Sequence, residues 1–165
     1  MKYCYECGTK LILKELDGEG EVQYCENCEA FRFPIFNTAV SMEVLSPNRD
    51  KIVLIKQYGR DKNILVAGYV NKGECAEETV AREVREELGI DVEDIKFNKS
   101  EYFEPSNTLM LNFSCVAKTE ELHIAEKEVD SAKWFTLEEI EREIFQGSLA
   151  HRFLHEFLQK NAEKE

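Results

Sequence analysis

The periodicity of the chain changes between Gly73 and Gly89. Val80, Val84 and Leu88 recur every fourth residue, which puts them on one stripe of a helix. Glu77, Glu78 and Thr79 suit its first turn, where the helix dipole favours negative charge, and Gly89 suits its C-terminal stop. Such a stripe needs a surface to bury against. The flanking segments supply one, because they read as strands. "TAVSMEVLS" and "KIVLIKQYG" are joined by the turn-rich "SPNRD", a predicted hairpin. "NILVAGYV" is a third strand. Beyond the helix, "DIKFNKSEYFE" and "TLMLNFSCVAK" flank "PSN" as two more. "SAKWFTLEEIEREIF" reads as a short strand and then a helix from near Thr136, and "SLAHRFLHEFLQKN" as a final helix. The pattern predicts a mixed α/β layered domain over residues 35–160, with a frayed tail at 161–165.

Residues 1–34 differ. They hold few core formers and two C-x-x-C pairs, Cys4 with Cys7 and Cys25 with Cys28, seventeen residues apart. This segment reads as two short hairpins that need a staple. Four thiolates make a closed tetrahedral site, and closed sites are structural, so the expected ligand is Zn²⁺. The alternative is a nucleic-acid-binding ribbon, for which Lys2, Lys10, Lys14 and Arg32 offer some positive charge. Cys75 and Cys115 have no partner pattern and read as ordinary thiols. His151 and His155 are four apart, as on a helix face.

The net charge of −12 disfavours non-specific binding to DNA, RNA or an anionic membrane. It leaves room for a phosphorylated small molecule, because a divalent cation inverts the local field. No apolar run approaches the length of a membrane span. The start, "MKYCYECGTK", carries no apolar signal region, and the chain is expected to be cytoplasmic.

Glu83, Glu86 and Glu87 lie off the apolar stripe at helical spacings of three and four. Like charges so placed repel. One reading is a solvated helix face. The other is a cation site, in which hard oxygen donors select Mg²⁺ or Mn²⁺ over softer metals.

With Gly68, Glu74 and Arg82 at their distances from these glutamates, "GYVNKGECAEETVAREVREELGI" matches every fixed position of the Nudix box. The chain thereby resembles the Nudix hydrolases. With its four cysteines directly before the domain, it looks like their zinc-ribbon NADH pyrophosphatase branch. The resemblance does not reach that branch's large N-terminal domain. It implies an α/β/α sandwich with a mixed sheet, preceded by a small zinc ribbon. It also implies metal-dependent cleavage of the diphosphate of a dinucleotide such as NAD(H), and a homodimer.

Carried over by position, Glu83, Glu86 and Glu87 match the metal-binding glutamates, and Arg82 is placed to orient one of them, such as Glu86. Glu128, six residues before Trp134, matches a further glutamate that serves as metal ligand or as the base orienting the attacking water. Its other reading is a surface carboxylate, with Glu126 close by. Tyr69 and Phe33 match aromatics that line the base pocket, with ordinary core packing as the alternative. Gly68 belongs to the loop that brings phosphates near the metal. The branch's diagnostic stretch appears as "SEYFEPSNTLM", in which Ser100, Leu109 and Met110 match while Phe103 stands for a Trp and Thr108 for a Ser. That departure keeps ADP-ribose or another nucleoside diphosphate derivative as an alternative substrate. A nucleotide-sensing or RNA-binding module without hydrolysis is the alternative from another class. An NAD-capped RNA end is a conceivable partner by family analogy.

Overall fold

The computed structural model describes residues 2–124 and 127–162. Glu126, and 163–165 of the tail, lie outside the described residues. The chain divides into two compact units, Met1–Phe36 and Asn37–Glu165.

The first unit is a three-stranded antiparallel sheet of β1 (Ile12–Leu16), β2 (Gly20–Cys25) and β3 (Ala30–Arg32). A bridge between Tyr3 and Lys10 forms a separate short loop before it. The two expected hairpins are thus one bridged loop and a three-stranded meander, because Ala30–Arg32 adds a strand too short to show alternation. Its buried cluster is Cys4, Leu11 and Cys25 with Cys28 against them. So small a core does not hold a domain of this size without a cross-link.

The second unit is a six-stranded mixed sheet with helices on both faces. β4 (Asn37–Leu45) and β5 (Lys51–Lys56) form the expected hairpin, and β6 (Val66–Tyr69) pairs with β4. α1 (Ala76–Leu88) follows, then β7 (Val92–Phe103), a 3-10 turn at Glu104–Ser106, and β8 (Thr108–Ala117). β8 runs parallel to β4, and the other strand pairs of this sheet are antiparallel among the described residues. β9 (Ser131–Thr136), α2 (Ile140–Glu143) and α3 (Leu149–Ala162) complete the unit.

Strand alternation explains the two layers. Val40, Met42 and Val44 face one way with Val53, Ile55, Val66 and Phe113, and the stripe of Val80, Val84 and Leu88 closes over them. Leu45, Ile52, Leu54, Leu65 and Val116 face the other way, under Ile140, Ile144, Phe153 and Leu154. Gly89 ends α1 in the left-handed region at φ 67°. A Cβ there would also meet the His123 carbonyl oxygen at 2.5 Å.

The helix expected from Thr136 is shorter than the sequence suggests. The Glu139 carboxylate accepts from the Thr136 backbone N–H and hydroxyl, so Thr136–Glu139 forms a turn. One helical turn follows, and Ile144 is already extended, bridging to Asn63. At the other end, α3 takes in Asn161 and Ala162. Among the described residues no helix is long and apolar enough to cross a membrane.

Glu43 is a fully buried carboxyl group. It lies on β4 and accepts from Asn112 and Asn98, both at 3.1 Å. Burial outweighs these bonds and pushes its pKa from 4.5 up to about 8. The native state therefore holds a proton that the unfolded chain releases between about pH 4.5 and 8. Stability from this group is full below about pH 4.5 and declines as pH rises towards 8. Urea melts across that window should show the decline, and Glu43→Gln should remove part of the slope. A slope unaltered by the substitution would assign the decline to other groups.

Candidate active site

β6 ends at Tyr69, and the chain turns through Asn71–Glu74 into α1. Cys75 is the N-cap, and Glu78 accepts from its backbone N–H. α1 packs on β4, β6 and β7, which places its carboxylates beside the edge strand β6.

Arg82 organises two of them together with Glu74 from the turn before the helix. Its guanidinium donates to Glu74 at 2.7 and 3.0 Å, to Glu83 at 2.8 Å and to Glu86 at 2.8 Å. It also donates to the Tyr69 carbonyl at 3.0 Å, tying helix to strand. The bond from Arg82 holds the Glu74 carboxyl down to about 2. Burial pushes Glu83 upward despite the same cation.

Gly68 has a steric reason. A Cβ at that position would lie 1.9–2.4 Å from the Glu83 carboxylate. The obstructing group is the end of a flexible side chain, so Gly68→Ala displaces Glu83 without breaking the core. Its stability cost should stay below the ~1–3 kcal/mol of core overpacking. In the same variant Mn²⁺ should bind the cleft more than tenfold more weakly, since Glu83 leaves its place. Comparing melting temperature with Mn²⁺ affinity checks this, and wild-type affinity would contradict it.

Glu87 is unlike the others. It is 4% exposed and has no cation paired with it among the described residues. Gln57 donates to its Oε1 at 2.6 Å, while its Oε2 is buried with no hydrogen-bond partner among the described residues. Burial pushes its pKa up to about 8, and the charges of Glu83, Glu128 and Glu86 add to the effect. An orphaned carboxylate oxygen among further carboxylates is a hard-donor set whose chemistry suits a divalent cation, although among the described residues only the four cysteines bring three or more ligand atoms within 4.8 Å of one another.

Arg82, Glu83, Glu86 and Glu87 line a cleft of about 510 Å³ with Gly68, Tyr69, Ala39, Tyr58, Thr108 and Met110. Glu128 lines it too, and its charge acts on both Glu83 and Glu87. Tyr69 is 56% exposed, which removes core packing as its explanation. Phe103 ends β7 opposite Thr108 and does not line the cleft, whereas Ser106, Thr108 and Met110 from the same stretch do. Phe33 belongs to the first unit and is 55% exposed. Gln57 and Tyr58 had no signal in the sequence, because their relation to α1 is made only by the sheet.

In the first unit the four sulfurs lie within 4.8 Å of one another. Cys7 and Cys25 are 3.5 Å apart, and Cys4 and Cys28 are 3.9 Å apart. Tetrahedral zinc with ordinary Zn–S bonds needs sulfurs about 3.8 Å apart, so this donor set fits zinc. Buried Arg32 donates from Nε to Cys4 Sγ at 3.2 Å and lowers that thiol's pKa. Cys115 is buried on β8 and Cys75 is exposed, and neither joins the cluster.

The NUDIX domain pattern matches residues 36–157. The chain belongs to the Nudix family. It is 28% identical to the NAD-capped RNA hydrolase NudC of Pseudomonas aeruginosa over 98% of its own length and 57% of that protein's. It is 32% identical to the chloroplastic Nudix hydrolase 19 of Arabidopsis thaliana, over 86% of its length and 34% of that protein's. The chain thus spans about half or less of these relatives. A crystal structure of a Nudix hydrolase from Nitrosomonas europaea superposes with a TM-score of 0.71 at 21% identity, covering 100% of this chain and 94% of that one. The Nudix domain of Shewanella oneidensis NrtR, complexed with ADP-ribose, gives 0.63 at 15% identity, covering 86% and 93%. The Nudix fold, an α/β/α sandwich, is therefore the one expected.

Proposed function

We propose that this chain is a metal-dependent diphosphatase that hydrolyses a dinucleotide or nucleoside diphosphate derivative, with an NAD(H)-like substrate favoured. The observation that carries this reading is Glu87, buried at the wall of an open cleft with one oxygen unsatisfied beside Glu83 and Glu86. Those three carboxylates would hold Mg²⁺ or Mn²⁺, which supplies Lewis-acid stabilisation of phosphate oxygens and lowers the pKa of bound water. Glu128 lines the same cleft, which supports it as the base that orients the attacking water. Arg82 keeps Glu83 and Glu86 in place. Exposed Tyr69 offers a ring face to a base or nicotinamide. The four cysteines would hold a structural Zn²⁺. Cytoplasmic residence and a homodimer complete the reading. The first rests on the zinc-type cysteine spacing, the second on the family resemblance.

A second reading, ADP-ribose as the preferred substrate, is favoured by the cleft wall itself. The residues that depart from the NAD(H) pattern include Thr108, which lines it. A panel of NADH, NAD⁺, ADP-ribose and an NAD-capped RNA with Mg²⁺ or Mn²⁺ separates the two. NADH is expected to show the highest kcat/KM, and ADP-ribose leading would establish the second reading. Binding without turnover of any member would overturn hydrolysis in favour of a nucleotide sensor. For the capped RNA, the charge of −12 predicts that body sequence adds little affinity.

A further inference from the structure

We propose that Gln57 is a positioning residue for the cation site, holding one oxygen of Glu87 with a neutral donor so that the other faces the ion. This rests on the reading of Glu87 as a metal ligand. Gln57 is the first residue after β5, at the head of a turn closed by Arg60 N–H donating to the Gln57 carbonyl at 3.1 Å. Tyr58 and Gly59 inside that turn both have positive φ, 56° and 65°. A non-glycine residue adopts this region only when its surroundings hold it there.

Asp130 does the holding. Its carboxylate accepts from Gly59 N–H at 2.7 Å, and its own N–H donates to the Lys56 carbonyl at 2.8 Å. The turn that aims Gln57 is therefore fastened to the segment that carries Glu128.

The chemistry of the donor matters as much as its place. Glu74, Glu83 and Glu86 all bond a guanidinium. Glu87 bonds a side-chain amide instead, with no guanidinium on it among the described residues. An amide fixes the carboxylate's rotation without cancelling its charge, so the full negative charge stays available to a cation. An arginine or lysine there would give direction and take away affinity.

Two variants separate this role from simple filling of space. Gln57→Leu removes the donor. Gln57→Lys keeps a donor and adds a charge. Mn²⁺ binding to the full chain without nucleotide is read from the loss of the free-ion paramagnetic resonance signal. Glu87→Gln marks the share of binding that belongs to this site. Gln57→Leu is expected to weaken that share about tenfold, as loss of a partner behind a metal ligand commonly does. Gln57→Lys should weaken it at least as much, yet melt no lower than wild type. Half-saturating Mg²⁺ should rise in step, with the nucleotide KM unchanged at saturating metal. Wild-type Mn²⁺ affinity in both variants would overturn the proposal, as would restored affinity in Gln57→Lys. The binding arm needs no substrate, so a chain that loses Mn²⁺ as expected but turns nothing over would sink the diphosphatase reading alone.

Discussion

Glu87→Gln is expected to lower metal-dependent turnover about 10³-fold and, in the same protein, to raise the melting temperature without metal. Both effects come from one geometry. The carboxylate is buried, one oxygen is tied to Gln57, and the other has no partner among the described residues. A metal site is worth several kcal/mol of transition-state stabilisation, and each 1.36 kcal/mol is tenfold in rate, so a loss on the order of 10³ follows. Stability moves the other way. The folded pKa of about 8 lies above the usual 4.5, so the native state loses stability as pH rises between those values. A neutral amide keeps the bond from Gln57 and escapes that penalty. For a chain of this size each kcal/mol gained raises the midpoint by roughly 2–4 °C. Added Mg²⁺ should stabilise the wild type by ~2.7 kcal/mol at a hundred times its dissociation constant, and should leave the variant unchanged. A variant that turns over normally, or that melts lower than wild type at pH 8, would contradict this account of Glu87.

Cys25→Ser is expected to unfold the first unit while the second stays folded. Cys25 is fully buried at the centre of a cluster whose other members are Cys4, Leu11 and Cys28. With the zinc reading, structural binding supplies about 10–16 kcal/mol to a small domain, more than such a core contributes by itself. Serine is a poor zinc ligand and leaves a hydroxyl among sulfurs. Residues before Asn37 should then lose protection from amide exchange and become open to proteolysis. The second unit has its own two cores around Met42 and Phe153, and should keep its exchange protection. Metal analysis should give one zinc per wild-type chain and none in the variant. A variant whose first unit stays protected would show that the thiols do not staple it.

The sequence carried the parts of this molecule that local spacing encodes. The stripe of Val80, Val84 and Leu88 determined both the helix and the side it buries. Gly68, at its distance from Glu83, reflected a contact that leaves no room for a Cβ. The paired cysteines foretold a cluster of four sulfurs. What escaped was set by contacts distant in sequence. Gln57 meets Glu87 across thirty positions, and nothing in "KQYG" marks it as an active-site partner. The single turn of α2 ends because Ile144 bridges to Asn63, an override of helical propensity by a partner far along the chain. Phe103 matched by position an aromatic of the substrate motif, yet the cleft wall is made by Ser106, Thr108 and Met110. Strand direction and the 3-10 turn decide that difference, and neither is visible in a motif.

The most direct test of the central claim is hydrolysis in ¹⁸O-labelled water, with both products weighed by mass spectrometry. NADH with Mg²⁺ or Mn²⁺ should give two nucleoside monophosphates, one of them carrying a single ¹⁸O on phosphorus. The reaction should stop on metal removal and in Glu87→Gln. Intact NADH, NAD⁺ and ADP-ribose at every metal concentration, or products free of ¹⁸O, would contradict a metal-dependent attack of water on a diphosphate.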